Sequence, residues 1–152
     1  MQIDHILTPE RTFAGVQGVS KKRVLEQIGK LVAQHSHLDP DAIYENLIAR
    51  EKLGSTGFGN GIAIPHCRLL DCHKAVGALL QLEDKIDFDS LDGEPVDLIF
   101  VLLVPQEANE QHLQILKMLA EKLDQASLRE ALRAAPDAES LYRIMTTSAT
   151  GS

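Results

Sequence analysis

The sequence has little cysteine, no excess of basic residues and no long apolar run. Its two cysteines, Cys67 and Cys72, are too few for a disulfide framework and fit a reducing compartment. Fifteen Lys and Arg residues against 22 Asp and Glu residues give a formal net charge of −7, which offers no electrostatic surface for nucleic-acid phosphates. We therefore expect no nucleic-acid partner.

The sequence also lacks the patterns of membrane and secretory segments. Its longest strongly apolar stretch, 98–104, is far shorter than the ~20 residues that cross a bilayer. The first residues, MQIDHILTPER, have no basic flank leading into an apolar run, so we expect no signal peptide. These features predict a cytoplasmic protein without membrane insertion and without an attached transport domain.

Length and composition are those of one ordinary domain. The chain has 152 residues, of which 44% are hydrophobic and 24% charged, close to the averages for globular proteins. We predict a single domain over residues 1–146. The Thr, Ser and Gly residues of 147–152 predict a mobile C-terminal tail.

Helix start signals precede two apolar stripes in the first half of the chain. Ser20 is a capping residue for the first helix, and Asp39 followed by Pro40 marks the start of the second. Gly54 is a suitable stop for the second helix. The stripes consist of Val24, Ile28, Leu31 and Val32 in the first helix and of Ile43, Leu47 and Ile48 in the second.

Three apolar segments in the middle of the chain predict strands. Residues 62–64 form a short apolar run, and residues 76–82 carry apolar side chains at period two. Residues 96–104 are apolar almost throughout, which favours a central strand that is buried on both faces.

Helical patterns return in the last third of the chain. Asn109 is a candidate cap for a helix, Ser127 and Glu130 match a capping box for the next, and a last helix runs from about Asp137 to Met145. The first of these helices has the apolar stripe Leu113, Leu116, Ala120 and Leu123. Helices and strands are interleaved along the chain, which predicts the α/β class, with one mixed sheet and helices on its faces.

The candidate chemistry concentrates in residues 50–66, REKLGSTGFGNGIAIPH. Glycines let the backbone approach a ligand closely and hydroxyl groups add donors, a combination that suits an oxyanion. The alternative is a plain connecting loop, because the segment matches neither a Walker A loop nor a G-x-G-x-x-G motif. The predicted oxyanion-binding residues are Ser55, Thr56, Gly57, Gly59 and Gly61.

We call residues 54–61 the glycine loop, and three side chains outside it are further candidates. His66 follows Pro65 at the end of the predicted strand 62–64, where ligands are commonly met. Arg50 shares the buried face of its helix, and its guanidinium either caps the last carbonyl groups or pairs with phosphoryl oxygens. His112 lies in a first helical turn, either as an exposed polar residue or beside an anion at the helix N-terminus.

A metal site is the main alternative from another class of function. His66, Cys67, Cys72 and His73 are neighbours in the sequence and all are metal-ligand types. The Cys-x4-Cys spacing is wider than that of common zinc sites, and no second ligand pair follows. We therefore expect no metal at this segment.

The first turn of the first predicted helix is basic. Lys21, Lys22 and Arg23 oppose the helix dipole there, at a cost of roughly 0.3–1 kcal/mol for each exposed residue. Acidic neighbours or an acidic partner would compensate, and a solvated basic turn is the plainer interpretation. The sequence alone does not assign a role to these three residues.

Residues 50–66 resemble the active-site signature of type-2 enzyme IIA domains of the bacterial phosphoenolpyruvate-dependent phosphotransferase system, and most closely those of its nitrogen-regulatory branch. The resemblance covers nearly the whole chain. It continues through the segments 20–23 (SKKR), 75–77 (AVG), 95–98 (PVDL), 102–105 (LLVP), 112–113 (HL) and 141–142 (LY).

The resemblance implies a mixed-sheet domain that needs no metal or cofactor and takes a phosphoryl group from a histidine-containing phosphocarrier protein. His66 matches the phosphorylated histidine, His112 the second active-site histidine, and Arg50 the arginine ahead of the loop. Such a protein regulates partners through its phosphorylation state, and the resemblance suggests potassium-transport or sensor-kinase components. A domain that binds partners without being phosphorylated is an alternative.

Two details accompany this resemblance. Cys67 stands where relatives often have glycine directly after the phosphorylated histidine, so chemical modification of its thiol is expected to block phosphorylation. Phe58, which we place at the tip of the glycine loop, is a candidate contact for the phosphocarrier.

Overall fold

The computed structural model describes residues 2–107 and 110–147. In this part of the chain six strands form one mixed sheet. The strands are β1 (Thr12–Val16), β2 (Gly57–Gly59), β3 (Ile62–Ala63), β4 (His66–Leu69), β5 (Val76–Ile86) and β6 (Val96–Pro105). Their order in the sheet is β1-β5-β6-β3-β2, and β4 also lies beside β6.

Five α-helices lie within the described residues, and two short 3-10 turns, Ile3–His5 and Pro9–Arg11, precede β1. The helices are α1 (Lys21–Gln34), α2 (Pro40–Glu51), α3 (Glu110–Leu123), α4 (Ala126–Ala134) and α5 (Ala138–Thr146). A search of the described residues for a helix long and apolar enough to cross a membrane finds none.

Strand β6 is the centre of the sheet, as its apolar sequence predicts. It pairs antiparallel with β5 and parallel with β3 and β4. Seven consecutive residues, 98–104, are buried. For residues 76–82 the sequence predicted apolar side chains at every second position. In β5, however, residues 76–80 are all buried, so this part of the strand is covered on both faces.

The sheet separates two hydrophobic cores. One core joins α1 and α2 to one face through residues such as Ile28, Leu47 and Val101. The other joins α3, α4 and α5 to the opposite face through residues such as Leu119 and Phe100. The predicted α/β class, with a mixed sheet and helices on its faces, is confirmed.

Two predicted helix caps are present, and a third cap lies at the predicted start of the last helix. The Ser20 hydroxyl accepts the backbone N–H of Arg23 at 3.2 Å, and the Asp39 carboxylate accepts that of Ala42 at 2.8 Å. Asp137 caps α5 in the same way. Each cap satisfies a backbone donor that the first helical turn leaves unpaired.

The predicted capping box at Ser127 is wrong. Helix α4 begins at Ala126, so Ser127 lies inside its first turn, and Gln125 occupies the capping position without a side-chain bond. The carbonyl of Gln125 already accepts the backbone N–H of Arg129 at 3.1 Å. Only Asp124 and Gln125 separate α3 from α4, and this short connection fixes where the second helix starts.

The predicted buried stripe of α3 is also partly wrong. Its buried residues are Ile115, Leu119 and Leu123, whereas Leu113 is 61% exposed. Leu116 and Ala120 are only half-buried. Two interleaved apolar stripes exist on this helix, and contact with the sheet selects the one that contains Ile115. The predicted cap at Asn109 and, apart from Thr147, the predicted tail 147–152 lie outside the described residues.

Candidate functional site

A cleft of about 440 Å³ opens where α2, β4, β6 and α3 meet. Arg50 comes to it from the last turn of α2, His66 from the start of β4, and His112 from the first turn of α3. The structure therefore brings together three residues that are far apart in the sequence and that the sequence identifies as candidates. Leu102 and Val104 of the central strand form part of the wall.

The place of His66 differs from the prediction in one respect. The sequence puts it at the end of the strand 62–64, but it is the first residue of a separate strand, β4. Both β3 and β4 run parallel to β6 in one continuous register, and the carbonyl of Pro65 accepts the N–H of Leu102 at 2.9 Å. The proline interrupts the strand without displacing it, so His66 stays beside the carboxyl-terminal part of β6.

A hydrogen bond to the backbone defines the tautomer of His66. Its Nδ1 lies 2.8 Å from the carbonyl oxygen of Ile64, two residues earlier. A carbonyl oxygen only accepts, so Nδ1 carries the proton and donates. In the neutral ring, Nε2 then holds the free lone pair.

The surroundings of His66 favour the neutral ring. Burial lowers the pKa of His66 below its ordinary value of 6.5, and the positive charge of Arg50 lowers it further. The Ile64 carbonyl and the charge of Glu51 act in the opposite direction but do not prevail. A half-buried imidazole with a lowered pKa and a free Nε2 is a nucleophile at neutral pH.

Arg50 is held at the end of its helix. Its Nη1 donates to the carbonyl of Gly54 at 2.9 Å, across the turn in which α2 ends. Of the two predicted roles, the capping of a carbonyl group is therefore present. The same side chain also lines the cleft, where the remaining guanidinium donors suit an anion.

The two hydroxyl side chains of the predicted oxyanion cradle have partners within the protein. The Ser55 hydroxyl donates to the carbonyl of Phe88 at 2.6 Å, and the Thr56 hydroxyl donates to the Glu51 carboxylate. Both hydroxyl groups thus bind acceptors within the protein. None of the predicted cradle residues is among those that line the cleft.

The glycines of the loop build a hairpin instead. Strand β2, which contains Gly57 and Gly59, pairs antiparallel with β3. Asn60 and Gly61 form the turn with φ angles of 59° and 78°, the left-handed region that favours asparagine and glycine. Phe58 lies in β2 and packs half-buried against the core beneath α3, so the expectation that it stands at the loop tip is wrong.

An ion pair beside the loop was missed by the reasoning from the sequence. Lys21 Nζ lies 2.9 Å from Glu51 Oε1, and the Glu51 side chain is only 4% exposed. The basic first turn of α1 thus receives an acidic neighbour from the end of α2. Arg23 pairs with Glu26, while Lys22 is exposed. The charge excess in that turn was the available signal, but it did not identify the partner.

Cys67 is a core residue. It is 8% exposed and belongs to the core beneath α1 and α2. Burial raises the pKa of the Cys67 thiol to about 12, so the reactive thiolate is scarce at neutral pH. Adjacency to His66 in the sequence therefore does not make Cys67 a reactive group.

The four residues of the alternative metal site do not form one. Within residues 2–107 and 110–147, no group of three or more His, Cys, Asp or Glu side chains is arranged to hold a metal ion. His73 stacks on His37 with ring centroids 5.7 Å apart, and Cys72 Sγ contacts the carbonyl of Lys74 at 3.0 Å. The geometry gives no support to a metal-binding regulator.

Exposed apolar side chains border the cleft. Leu53, just after α2, is 84% exposed, and Leu113, next to His112, is 61% exposed. Both contribute to the cleft lining. Apolar residues at the centre of a polar rim are typical of protein-protein contact sites.

Comparison with known proteins identifies the family of the chain. The family model described as "Phosphoenolpyruvate-dependent sugar phosphotransferase system, EIIA 2" matches residues 5–148. The "Nitrogen regulatory protein" of Pseudomonas aeruginosa is 58% identical over 146 residues, which span 95% of this chain and 95% of that protein. The protein of the same name from Escherichia coli K12 is 46% identical over 147 residues, or 96% of this chain and 90% of that one.

A solved structure matches the fold over the same length. "Nitrogen Regulatory Protein IIA-Ntr from Neisseria meningitidis" superposes with a TM-score of 0.89 at 43% sequence identity, covering 95% of this chain and 99% of that one. The chain therefore belongs to the EIIA 2 family of the phosphoenolpyruvate-dependent sugar phosphotransferase system, whose members are phosphotransferase components that carry phosphoryl groups through phosphohistidine.

Proposed function

We propose that Nε2 of His66 accepts a phosphoryl group from a histidine-containing phosphocarrier protein, and that the phosphorylation state of His66 regulates partner proteins. The observation that carries this proposal is the bond from His66 Nδ1 to the Ile64 carbonyl, which leaves Nε2 unprotonated in a cleft. A nucleophile, a nearby cation and an opening wide enough for a phosphoryl group are the elements that transfer requires.

The transfer itself is an in-line exchange between two imidazoles. The lone pair of His66 Nε2 forms a bond to phosphorus as the bond from phosphorus to the carrier's imidazole nitrogen breaks, and the electrons of the broken bond return to that nitrogen. Charge is spread over three phosphoryl oxygens in the transition state. The protein contributes mainly by positioning the ring and stabilising those oxygens.

Arg50 and His112 are the residues that stabilise the phosphoryl oxygens in this proposal. The guanidinium of Arg50 has donors beyond the one that binds Gly54, and its planar fork suits oxygen pairs. His112 lines the opposite side of the cleft from α3, with its imidazole as a further donor. Neither residue is the acceptor in this scheme.

The carrier docks over the exposed apolar border of the cleft. Leu53 and Leu113 lie on either side of it, from the ends of α2 and α3 that carry Arg50 and His112. Burial of these side chains would exclude water from the reacting groups. Phe58 is half-buried against the core and does not line the cleft, so it is not part of the proposed contact.

Regulation follows from the charge that phosphorylation adds. A phosphoryl group places about −1.5 to −2 charge at the mouth of the cleft, enough to repel or recruit a partner surface. Relatives with the name "Nitrogen regulatory protein" support a role in nitrogen-related regulation, and we propose that this protein acts in the cytoplasm. Potassium-transport and sensor-kinase components are the partner classes that we propose to test.

Reconstitution with phosphoenolpyruvate, enzyme I and the phosphocarrier tests the acceptor. Intact-mass measurement at neutral pH should show one added phosphoryl group, and mild acid should remove it, because phosphohistidine is acid-labile. His66→Ala should gain none, and His73→Ala is the matched control because that histidine lies outside the cleft lining. Full phosphorylation of His66→Ala, or an acid-stable adduct, would contradict the proposal.

Two further measurements separate the alternatives. A protein that binds partners without being phosphorylated should gain no mass in the reconstitution, yet should recover the same targets in pull-downs of wild type and His66→Ala. A metal-binding regulator should contain stoichiometric metal by elemental analysis. Different target sets for the phosphorylated protein and for His66→Ala would support regulation by phosphorylation.

A further inference from the structure

A buried carboxylate with three partners lies behind the cleft. Glu51 Oε1 accepts the Thr56 backbone N–H at 3.1 Å and lies 2.9 Å from Lys21 Nζ, while Oε2 accepts the Thr56 hydroxyl. We call Lys21, Glu51 and Thr56 the clasp. It joins the first turn of α1, the last residue of α2 and the loop ahead of β2.

One path from the clasp leads to Arg50. The bonds between Glu51 and Thr56 close the turn that follows α2, and Gly54 lies inside that turn. The Gly54 carbonyl is the acceptor for Arg50 Nη1, at 2.9 Å. Because the clasp fixes both ends of this turn, it fixes the carbonyl against which the guanidinium is aligned.

A second path leads from the clasp to the ring of His66. The Thr56 carbonyl accepts the N–H of Ile64 at 3.1 Å, and the Ile64 carbonyl accepts the Nδ1–H of His66 at 2.8 Å. The hydrogen bonds of this path are joined through the backbone of Thr56 and of Ile64. By fixing Thr56, the carboxylate orients the segment to which the imidazole is bonded.

Lys21 anchors the clasp to the rest of the molecule. Its ammonium group lies 4.9 Å from the centre of the Phe88 ring and 3.6 Å from Asp89 Oδ2. Phe88 is fully buried, and its carbonyl accepts the Ser55 hydroxyl next to Thr56. The clasp thus contacts the loop that follows β5 as well as the two helices.

We propose that the clasp is a positioning device for phosphoryl transfer, in which Glu51 sets the Arg50 guanidinium through Gly54 and the His66 ring through Thr56 and Ile64. This inference rests on the proposed function, because it assumes that His66 is the acceptor. Glu51 is not among the residues lining the cleft; its charge raises the pKa of His66, and its effect on geometry passes through its neighbours. Burying charged groups is costly, and a fixed geometry at the reacting centre is a reason for keeping them there.

Variants of Thr56 test the clasp with little change in shape. Thr56→Val removes the hydroxyl and keeps the volume, whereas Thr56→Ser keeps the hydroxyl. A misplaced reacting group can lose ~10²-fold in rate, so we expect phosphoryl acceptance by Thr56→Val to be roughly tenfold or more slower than by wild type. Thr56→Ser should recover most of that loss, and Glu51→Gln should be slower still.

The second measurement is the tautomer of His66, from the nitrogen-15 shifts of its ring in the unphosphorylated protein. Wild type should show the proton on Nδ1, and Thr56→Val and Glu51→Gln should show a mixture of the two tautomers. A purely structural role would not change the tautomer in a folded protein. Lys22→Met is the matched control for the cation, since Lys22 is exposed in the same helical turn, and it should change neither measurement.

The outcomes distinguish this inference from the proposed function. If wild type accepts no phosphoryl group at His66, the proposed function fails, while the tautomer measurement still decides whether the clasp sets the ring. If wild type accepts and Thr56→Val is as fast with the same tautomer, the clasp is not a positioning device. If Glu51→Gln does not fold, the Lys21→Met/Glu51→Gln pair removes both charges, and wild-type rate and tautomer in that variant would overturn the inference.

Discussion

The Nδ1–H group of His66 donates to the carbonyl oxygen of Ile64 across 2.8 Å. The two residues are separated only by Pro65, whose ring fixes one of the backbone angles between them. The imidazole is therefore tied to the backbone that precedes it rather than to a mobile side chain. In the proposed transfer, the ring already has the tautomer that an attack by Nε2 requires.

The first prediction concerns the titration of His66. Burial lowers its pKa and the charge of Arg50 lowers it further, so the neutral, nucleophilic ring should persist in more acidic solution than a free imidazole does. Arg50→Gln should raise the pKa of His66 because it removes a positive charge, and Glu51→Gln should lower it because it removes a negative one. Ring nitrogen shifts measured against pH give these values.

A short peptide that contains residues 64–68 provides the reference for this titration. The midpoint of His66 in the protein should lie below that of the peptide. A midpoint at or above the peptide value, or shifts of the same sign in the two variants, would contradict the electrostatic description of the cleft.

The second prediction concerns Cys67. Its thiol is buried and its pKa is raised to about 12, so a thiol reagent at neutral pH should leave it unmodified in the native protein. Phosphoryl acceptance should consequently be insensitive to brief treatment with iodoacetamide. Peptide mapping should find the label on Cys67 only after denaturation. If Cys67 is labelled rapidly in the native protein and phosphoryl acceptance is lost, this prediction is wrong and modification of the thiol does block phosphorylation.

The sequence predicted the parts of the fold that depend on neighbouring residues. The Ser20 and Asp39 caps each join a side chain to a backbone group three residues later, so local spacing is sufficient to find them. The central strand β6 was equally clear, since burial on both faces leaves an unbroken apolar run. Local spacing was not sufficient at Ser127. The sequence there matches a capping box, but the short connection between α3 and α4 makes the helix begin before it, at Ala126.

Pairings between distant segments could not be found in the same way. The charge of the first turn of α1 indicated that Lys21 needs an acidic partner, but nothing local identifies Glu51, which follows after a whole helix and a loop. The partners of the hydroxyl groups in the glycine loop could not be found for a related reason. Its hydroxyl groups suit an external oxyanion and an internal acceptor equally well, and only the fold brings the Glu51 carboxylate to Thr56.

The third prediction concerns stability. Lys21→Met leaves the buried Glu51 carboxylate without its cation, which should cost about 3 kcal/mol, the lower end for a broken buried pair because the Lys21 side chain is still 19% exposed. Denaturant unfolding measures the loss. Lys22→Met should stay within about 0.5 kcal/mol of wild type, as surface substitutions commonly do.

The double variant Lys21→Met/Glu51→Gln completes this test. With both charges removed, a large part of the lost stability should return, because no uncompensated ion remains buried. Equal losses in Lys21→Met and Lys22→Met would show that the ion pair contributes nothing specific to the folded state.

The last prediction concerns His112, which lines the cleft from the first turn of α3. Loss of one donor aimed at the developing charge of a transition state costs on the order of 2.7–4 kcal/mol, so His112→Ala should accept phosphoryl groups much more slowly than wild type. Its fold should persist, because a half-buried side chain at the edge of the core leaves little cavity. His112→Gln should recover part of the rate, since an amide still donates.

Single-turnover transfer from the phosphorylated carrier measures the rates, and circular dichroism checks the fold. Wild-type kinetics in a folded His112→Ala would remove His112 from the mechanism, whereas an unfolded variant would assign it a structural role.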